Sequence, residues 1–385
     1  MEYFLNEQQK TLKSLARRIA EERILPVRAE LDEREEFPWG IMKDLAEADI
    51  FRIFIPEEYE GLGGGCFELC LAVEELSRVC SGVAVSYAAS ALGSFPLLEY
   101  GTEEQKQKYL PDIASGKRLA AFALTEPTAG SDASAIKTTA ERVKGGYVIN
   151  GTKQFITNGG EAEIYTVIAL TDKARGARGA SAFLVEKDTP GFSFGKKEKK
   201  MGIRASSTRE LVFRNCLVPE ENLIGKEGMG FIVTLKLLDR SRPGIGAQAV
   251  GLAQGALEAA VDYARKRIQF GHPIISLPVV QNMLADMATN VEAARALTYA
   301  VARTIDSEAK KFTEEAAMAK VFASDIAMKV TTDAVQIFGG VGYMRDYPIE
   351  KMMRDAKITQ IYEGSNEVLR STIAFELRKR KARRE

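Results

Sequence analysis

One glutamate near the C-terminus, Glu363, has the sequence neighbours expected of a catalytic base. It lies between an aromatic residue and a glycine in residues 361–369 (IYEGSNEVL), directly after the apolar turn at 358–361. Gly364 can adopt backbone angles that other residues avoid, and it lets a ligand approach the main chain. A carboxylate among apolar neighbours loses solvation, which raises its pKa toward a range useful for a general base. A solvated glutamate at a helix end is the alternative, and the rest of the chain must decide.

Three further stretches could contact a cofactor. Residues 122–132 (FALTEPTAGSD) gather hydroxyls and free backbone N–H groups, which suit phosphate oxygens and the polar edge of a heterocycle. Residues 153–158 (KQFITN) set an aromatic ring beside a hydroxyl, so they could stack on and hydrogen-bond to a planar ring. Residues 336–343 (QIFGGVGY) end a helical pattern in glycines. An ordinary turn and simple core packing are the alternatives for the first two stretches.

The composition disfavours metal sites and histidine-based catalysis. The four cysteines form no CxxC pair, and the chain has a single histidine; these residues are Cys66, Cys70, Cys80, Cys216 and His272. We therefore expect no metal site, and an HExxH motif is excluded. A Ser-His-Asp triad would have to use the histidine of the turn at 270–273. The chemistry must instead rest on carboxylates and a cofactor.

The bulk composition describes a globular chain of several domains. With 385 residues, of which 45% are hydrophobic, the chain is too long for one core. Lys plus Arg equals Asp plus Glu at 53 each, so no overall field favours nucleic acid or an anionic membrane. No run approaches the ~18 apolar residues of a membrane span. The acidic, amphipathic N-terminus has no apolar signal core, which predicts a cytoplasmic protein.

Hydrophobic periodicity predicts an α+β chain with three domains. Residues 1–118 form an N-terminal α-helical domain, 119–226 a middle β-sandwich or barrel, and 227–385 a C-terminal four-helix bundle. The predicted helices are 4–27, 38–48, 68–79, one that opens at 103–108 and stops at Pro111, 247–267, 279–305 and 314–338. The β domain should be mainly antiparallel, because no connection is long enough for a crossover helix. Asn150-Gly151 predicts a hairpin turn.

Six motifs occur in this order, and together they resemble the acyl-CoA dehydrogenase family of FAD flavoproteins over essentially the whole chain. They are FALTEPTAGSD, FITN, RIQFG (267–271), LADM (284–287), QIFGGVGY and IYEGSNEV. Longer strings at 191–206 and 315–324 are most similar to bacterial short-chain, butyryl-type members.

The resemblance implies a base, a flavin site and a substrate site. The family's base matches Glu363. FAD would contact Phe122, Leu124, Thr125, Gly130, Ser131, Phe155, Ile156, Thr157, Ser365 and Glu367, with Arg267, Phe270, Gln336, Gly339 and Gly340 reaching the ADP half of a neighbouring subunit's FAD. An arginine fork suits a pyrophosphate because it can bind two oxygens. Acyl-CoA would contact Ser131, Asp239, Arg242, Tyr362 and Gly364.

Two positions depart from the family pattern. Pro278 stands where members often place a glutamine that touches the flavin's ADP, and Gln281 is present nearby. Ser241 stands where isovaleryl and long-chain members carry their base. Serine is not a base at neutral pH, so Glu363 is the matched candidate.

The resemblance implies a homotetramer that dehydrogenates a short acyl-CoA and passes electrons to an electron-transferring flavoprotein. An acyl group of roughly four to seven carbons is expected, butyryl-CoA first. Small residues at 88–91 could leave room for a branched or cyclic group, or could serve close helix packing. An enoyl-CoA reductase is the alternative direction. A non-catalytic or DNA-associated flavoprotein is a third reading, suggested by the basic tail at 378–384.

Overall fold

A computed structural model describes residues 3–307 and 309–382. The N-terminal unit, up to Ala114, is helical. Capping boxes at Asn6 and Thr102 fix two helix starts, since each side chain accepts a bond from a free N–H of the first turn. The N-terminal helices are α1 Glu7–Ile19, α2 Arg28–Arg34, α3 Trp39–Glu47, α4 Cys66–Val79, α5 Ser81–Tyr100 and α6 Glu103–Ala114. The predicted helix at 4–27 is divided, because α1 passes into a π-helical turn, Ala20–Ile24.

The prediction that Pro111 stops α6 is wrong. The helix continues through this proline to Ala114. Proline removes one backbone donor, but the next turn remains bonded, with the Ser115 N–H 3.0 Å from the Pro111 carbonyl oxygen. Burial of Ile113 and Ala114 holds this last turn against the core.

The sequence predicts no apolar run as long as a membrane span, and helix α5 differs from that expectation. Ser81–Tyr100 is long and apolar enough to pass a length-and-composition test for a membrane span, and 83% of its window is buried inside the protein. Its apolar surface is therefore covered by other elements of the described chain, as in a central core helix.

The middle unit is one mixed sheet of eight strands. The order is β6-β7-β3-β2-β4-β5-β8, with β1 beside β4. Most pairs are antiparallel, as predicted, while β1 and β2 each pair with β4 in parallel. The strands are β1 Ala120–Ala123, β2 Thr139–Val143, β3 Gly146–Thr157, β4 Ile164–Leu170, β5 Ala180–Glu186, β6 Phe192–Lys197, β7 Thr208–Pro219 and β8 Leu223–Ile224.

The hairpin predicted at Asn150-Gly151 is wrong. Strands β2 and β3 turn at 144–145, where Gly145 has a φ of +86°. Asn150 and Gly151 lie inside β3, at an irregularity in its pairing with β7. The Asn150 side chain there accepts a bond from the Asn215 N–H at 2.7 Å. Asparagine and glycine occur in β-bulges as well as in tight turns, because bulges and turns both require backbone angles that most residues avoid.

The C-terminal unit is built from long helices, and a short two-stranded hairpin connects the first of them to the second. Helix α7 has 37 residues and begins at Gly230, not at the predicted 247, and it passes through Pro243. Glycines and this proline hide the helical pattern of its first half. The elements are α7 Gly230–Lys266, β9 Ile268–Gln269, β10 His272–Pro273, α8 Pro278–Asp306, α9 Thr313–Phe338, α10 Ile349–Thr359 and α11 Asn366–Ala382.

Close contact between α5 and the sheet joins the first two units. A Cβ on Gly93 would lie 2.5 Å from the Ala121 backbone nitrogen, so only glycine allows this approach. The Thr166 hydroxyl donates to the Gly93 carbonyl at 2.9 Å, and the Asn158 amide donates to the Ser86 carbonyl at 2.9 Å. The end of β3 is therefore fixed relative to the helices.

Candidate active site

The turn between α10 and α11 presents Glu363 in an uncommon backbone conformation. Glu363 has a φ of +52° and Gly364 a φ of +97°, so two successive residues are left-handed. A left-handed non-glycine residue is strained, and such strain is concentrated at functional sites. Within the described residues, the Glu363 N–H forms no hydrogen bond. This turn thus offers both a carboxylate and a free backbone donor.

The carboxyl of Glu363 is surrounded by one hydroxyl and two cations. Burial is the largest influence on the pKa of Glu363 and raises it above the ordinary glutamate value. The Ser241 hydroxyl donates to its Oε2 at 2.5 Å and lowers that pKa, as do the charges of Arg242 and Lys320. The residue as a whole is partly exposed, but its carboxyl end lies among these groups. Burial therefore makes this carboxylate a stronger base, while its three neighbours favour the charged form that accepts a proton.

Helix α7 contributes a buried arginine beside this carboxyl. Arg242 donates to Asp239 Oδ1 at 2.6 Å, and Asp239 Oδ2 accepts from the Thr313 hydroxyl at 2.5 Å. The Arg242 Nε–H has no partner within the described residues. Burial lowers the pKa of Arg242. A buried, unpaired N–H needs an acceptor, which a polar ligand could supply.

Tyr362 anchors the turn from its other side. Its hydroxyl donates to Gln248 Oε1 on α7, and the Gln248 amide donates to the Ser81 hydroxyl at 2.7 Å. Burial raises the pKa of Tyr362, and the neighbouring charge of Glu363 adds to the effect. The tyrosine therefore remains neutral and positions the turn.

The loop at 124–138 is held in place by a buried ion pair that the sequence analysis missed. The Lys153 ammonium, which is 0% exposed, lies 2.7 Å from Glu126 Oε1 and 2.9 Å from the Leu124 carbonyl oxygen. Glu126 also accepts bonds from the N–H groups of Lys137 and Thr138, at 2.6 and 3.0 Å. Glu126 lies within the motif at 122–132 and Lys153 within the motif at 153–158. The signal that could have revealed the pair is a lysine in a strand that packs against the core.

The predicted flavin contacts divide into open and buried groups. Gly130 and Ser131 are exposed, and a Cβ on Gly130 would meet nothing within 4 Å. Phe155 is 57% exposed and left-handed, with a φ of +59°. Ile156 is only 3% exposed, so its side chain belongs to the core and only its backbone can reach a ligand. Phe122, Leu124, Thr125 and Thr157 are partly exposed. An open ring beside free hydroxyls and N–H groups fits a planar, phosphate-bearing cofactor.

A second predicted set lies at one end of the C-terminal helices. Tyr263 on α7 stacks on Phe338 on α9, with ring centroids 4.1 Å apart, so the ends of these helices are neighbours. The five predicted residues there are all exposed, and Phe270 is 88% exposed: Arg267, Phe270, Gln336, Gly339 and Gly340. No contact joins this set to Glu363 within the described chain. An exposed aromatic ring of this kind favours a partner surface.

The remaining predicted residues lie beside the turn or at a helix start. Ser365 is partly exposed, and its hydroxyl accepts from the Val368 N–H at 3.4 Å, which caps α11. Glu367 is exposed in the first turn of that helix. Pro278 opens α8, where its missing N–H costs no helical bond. Gln281 is exposed one turn later.

Family models match each of the three units: the acyl-CoA dehydrogenase N-terminal domain over residues 6–117, the middle domain over 121–216 and the C-terminal domain over 228–377. Acryloyl-CoA reductase (NADH) of Anaerotignum propionicum is 48% identical, covering 99% of this chain and 97% of that protein.

Solved structures give the same result. Butyryl-CoA dehydrogenase from Megasphaera elsdenii is 45% identical with a TM-score of 0.95, covering 98% of this chain and 100% of that chain. A chain in a structure described as the electron transferring flavoprotein of Acidaminococcus fermentans is 50% identical with a TM-score of 0.96, covering 98% and 99%. Related structures include complexes with FAD. The chain belongs to the acyl-CoA dehydrogenase family, a family of FAD-containing oxidoreductases.

Proposed function

We propose that this protein dehydrogenates a short-chain acyl-CoA at Cα–Cβ, with Glu363 as the base that removes the α-proton. The observation that carries the proposal is the turn at 363–364. It combines a carboxylate of raised pKa with a backbone N–H that has no hydrogen-bond partner in the part of the chain that the structure describes. Bound FAD would supply the acceptor for the β-hydrogen. The residues of this chain then account for binding, alignment and proton transfer.

In this proposal the Glu363 N–H donates a hydrogen bond that polarises the thioester carbonyl. Abstraction of an α-proton is favoured when hydrogen-bond donors stabilise the oxyanion that develops on the carbonyl. The unpaired Nε–H of Arg242 and the polar side chain of Asp239 line α7 beside the base and suit the polar chain of CoA. Ser241 holds the carboxylate oxygen that is not taking the proton.

The predicted contacts assign FAD to two surfaces. Residues 122–131, the strand end at 155–157, and Ser365 with Glu367 would hold the flavin half. Arg267, Phe270, Gln336, Gly339 and Gly340 would hold the ADP half of a second subunit's FAD. Their exposure in one chain supports this division, which requires a second subunit; the homotetramer stays a prediction.

Butyryl-CoA is the expected substrate, and an electron-transferring flavoprotein is the expected partner. The similarity to butyryl-CoA dehydrogenase and to a chain of an electron transferring flavoprotein structure supports both. The small residues of α5 favour close packing over a widened acyl pocket. Ser90 and Ala91 are fully buried, and the Ser90 hydroxyl accepts from the Ala120 N–H at 3.4 Å. A cytoplasmic location stays a prediction.

The reverse reaction is the second candidate, since acryloyl-CoA reductase (NADH) is a relative of similar identity. A nucleic-acid role has less support: Lys379 is paired with Glu376 at 2.6 Å, and residues 383 and 384 of the basic tail lie outside the described chain.

Anaerobic bleaching of the flavin tests the proposal. The purified protein, with about one FAD per chain, is mixed with a panel of straight, branched and cyclic acyl-CoA esters. We expect the highest kcat/KM for butyryl-CoA, with one methylene changing specificity by ~1–3 kcal/mol. A maximum at dodecanoyl- or palmitoyl-CoA would contradict the short-chain assignment, and no bleaching by any ester would contradict the reaction.

A further inference from the structure

A buried lysine on α9 donates hydrogen bonds to the turn that carries Glu363. Lys320 is 0% exposed, and its ammonium donates to the Gly364 carbonyl at 2.8 Å and to Asn366 Oδ1 at 2.9 Å. Within the described residues it contacts no carboxylate oxygen. Burying an ammonium without a directly paired anion is costly, so this lysine does not serve stability alone.

Asn366 forms further hydrogen bonds between this turn and α9. Its amide donates to the Ser324 hydroxyl at 2.9 Å and to Asp325 Oδ1 at 2.8 Å, both on α9. Its backbone N–H donates to the Gln360 carbonyl at 3.0 Å, which closes the loop from α10 to α11. Helix α9 is thus bonded to the carbonyl directly after Glu363 and to the first residue of α11.

The bonds from Lys320 and Asn366 hold a turn whose backbone is strained at Glu363. A left-handed backbone is strained for any residue other than glycine, and Glu363 has a φ of +52°. A Cβ added to Gly364 would lie 2.9 Å from Leu369 Cδ2, so the side chain of Leu369 packs closely against this turn. Bonds from a buried ammonium to the following carbonyl offset this strain and keep the carboxylate at one angle.

Charge adds a second effect. Burial lowers the pKa of Lys320 to about 8, and the charge of Glu363 opposes that fall. The other charged groups that act on Lys320 are Arg242 from α7, Asp325 from α9 and Glu367 from α11. In return, the positive charge of Lys320 lowers the pKa of Glu363, together with the Ser241 bond and Arg242.

We propose that Lys320 is a positioning residue for the base: it fixes the left-handed turn through the Gly364 carbonyl and Asn366, and it supplies a positive charge behind Glu363. The inference rests on the proposed function of Glu363. Lys320 does not contact the reacting atoms and acts on Glu363 by holding the turn.

The test compares Lys320→Met with the wild-type holoenzyme. Difference infrared spectroscopy follows protonation of the Glu363 carboxyl, identified by the band that Glu363→Gln removes. Because Lys320→Met deletes the charge, the carboxyl should take up its proton at higher pH than in wild type. With butyryl-CoA, kcat should fall roughly 10- to 100-fold and its acidic limb should move to higher pH, while KM changes less.

Two further variants separate the two effects. Lys320→Gln keeps a donor for the Gly364 carbonyl but has no charge, so it should shift the infrared titration with a smaller loss of kcat. It also serves as the test protein if Lys320→Met does not fold. Lys329→Met, on the exposed face of α9 where Lys329 pairs with Asp333 at 2.6 Å, is the matched control and should behave as wild type.

A wild-type infrared titration in Lys320→Met or Lys320→Gln would overturn the inference. A wild-type enzyme that fails to reduce its flavin with every acyl-CoA would contradict the proposed function instead. The infrared titration would still decide the effect of Lys320 on Glu363.

Discussion

At the residue scale, the carboxyl of Glu363 is balanced between burial and three groups that favour its charged form. Burial raises its pKa, and Ser241, Arg242 and Lys320 lower it. The apolar neighbours of Glu363 in the sequence predicted that burial raises its pKa, and the structure has that direction. The role of Glu363 as the base came from the family resemblance and stays a prediction. The sequence could not identify Lys320, which lies 43 positions away on α9 and is brought to the turn only by tertiary packing.

Removing the Ser241 hydroxyl should raise the pKa of Glu363. Its bond at 2.5 Å stabilises the carboxylate, so Ser241→Ala favours the protonated acid. A general base must be deprotonated to act, and the acidic limb of the kcat–pH profile should therefore move to higher pH. Thr234→Val is the control, since that hydroxyl donates to the Gly230 carbonyl on the same helix at 2.8 Å. An unchanged limb in Ser241→Ala would exclude this role.

Breaking the Lys153–Glu126 pair should loosen the loop at 124–138, which we propose contacts the flavin. Lys153→Met leaves a buried carboxylate without its cation, an arrangement that costs ~3–5 kcal/mol. We expect a lower Tm and a lower FAD-to-protein absorbance ratio. The double variant Lys153→Met, Glu126→Gln removes the unpaired charge and should recover part of both. Equal losses in the single and double variants would show that the pair itself does not order the loop.

At the scale of elements, tertiary packing decided what sequence periodicity could not. The predicted helices ended at prolines or began after them, yet α6 passes Pro111 and α7 passes Pro243. Each proline removes one hydrogen bond, and burial of the same helix in the core outweighs that loss. The existence of the three units followed from the change of hydrophobic period, whereas the bulge at Asn150-Gly151 depended on a partner strand distant in sequence.

Gly93 should be the least replaceable residue at the α5–sheet contact. A methyl group there would meet the Ala121 backbone at 2.5 Å. Gly93→Ala should lower stability by ~1–3 kcal/mol through overpacking. Gly40→Ala, in α3 with nothing within 4 Å, is the matched control and should be neutral or slightly stabilising. Thermal unfolding of both variants gives the comparison; equal Tm values would mean that the sheet shifts freely.

At the scale of the whole molecule, the end of the C-terminal helices carries large apolar side chains that are exposed in the single chain. Phe270 is 88% exposed and Tyr343 78% exposed, close to the predicted ADP-binding residues. The resemblance predicted an assembly here, and a single chain shows only the uncovered surface.

Arg267→Ala should therefore weaken FAD retention and the tetramer together. Loss of its guanidinium removes a pyrophosphate partner at the proposed boundary between subunits. Light scattering and FAD absorbance at several protein concentrations measure both effects. Arg265→Ala, which alters an exposed arginine two residues earlier, should leave both unchanged. A stable monomer that retains full FAD would contradict the interfacial assignment.

The central claim is that Glu363 removes the α-proton, and single-turnover flavin reduction of Glu363→Gln by butyryl-CoA tests it most directly. The substitution is nearly isosteric and deletes only the base. We expect unchanged FAD content and acyl-CoA binding, with flavin reduction slowed by ~10²–10⁴-fold or more. Reduction at the wild-type rate would show that another residue takes the proton and would contradict the account.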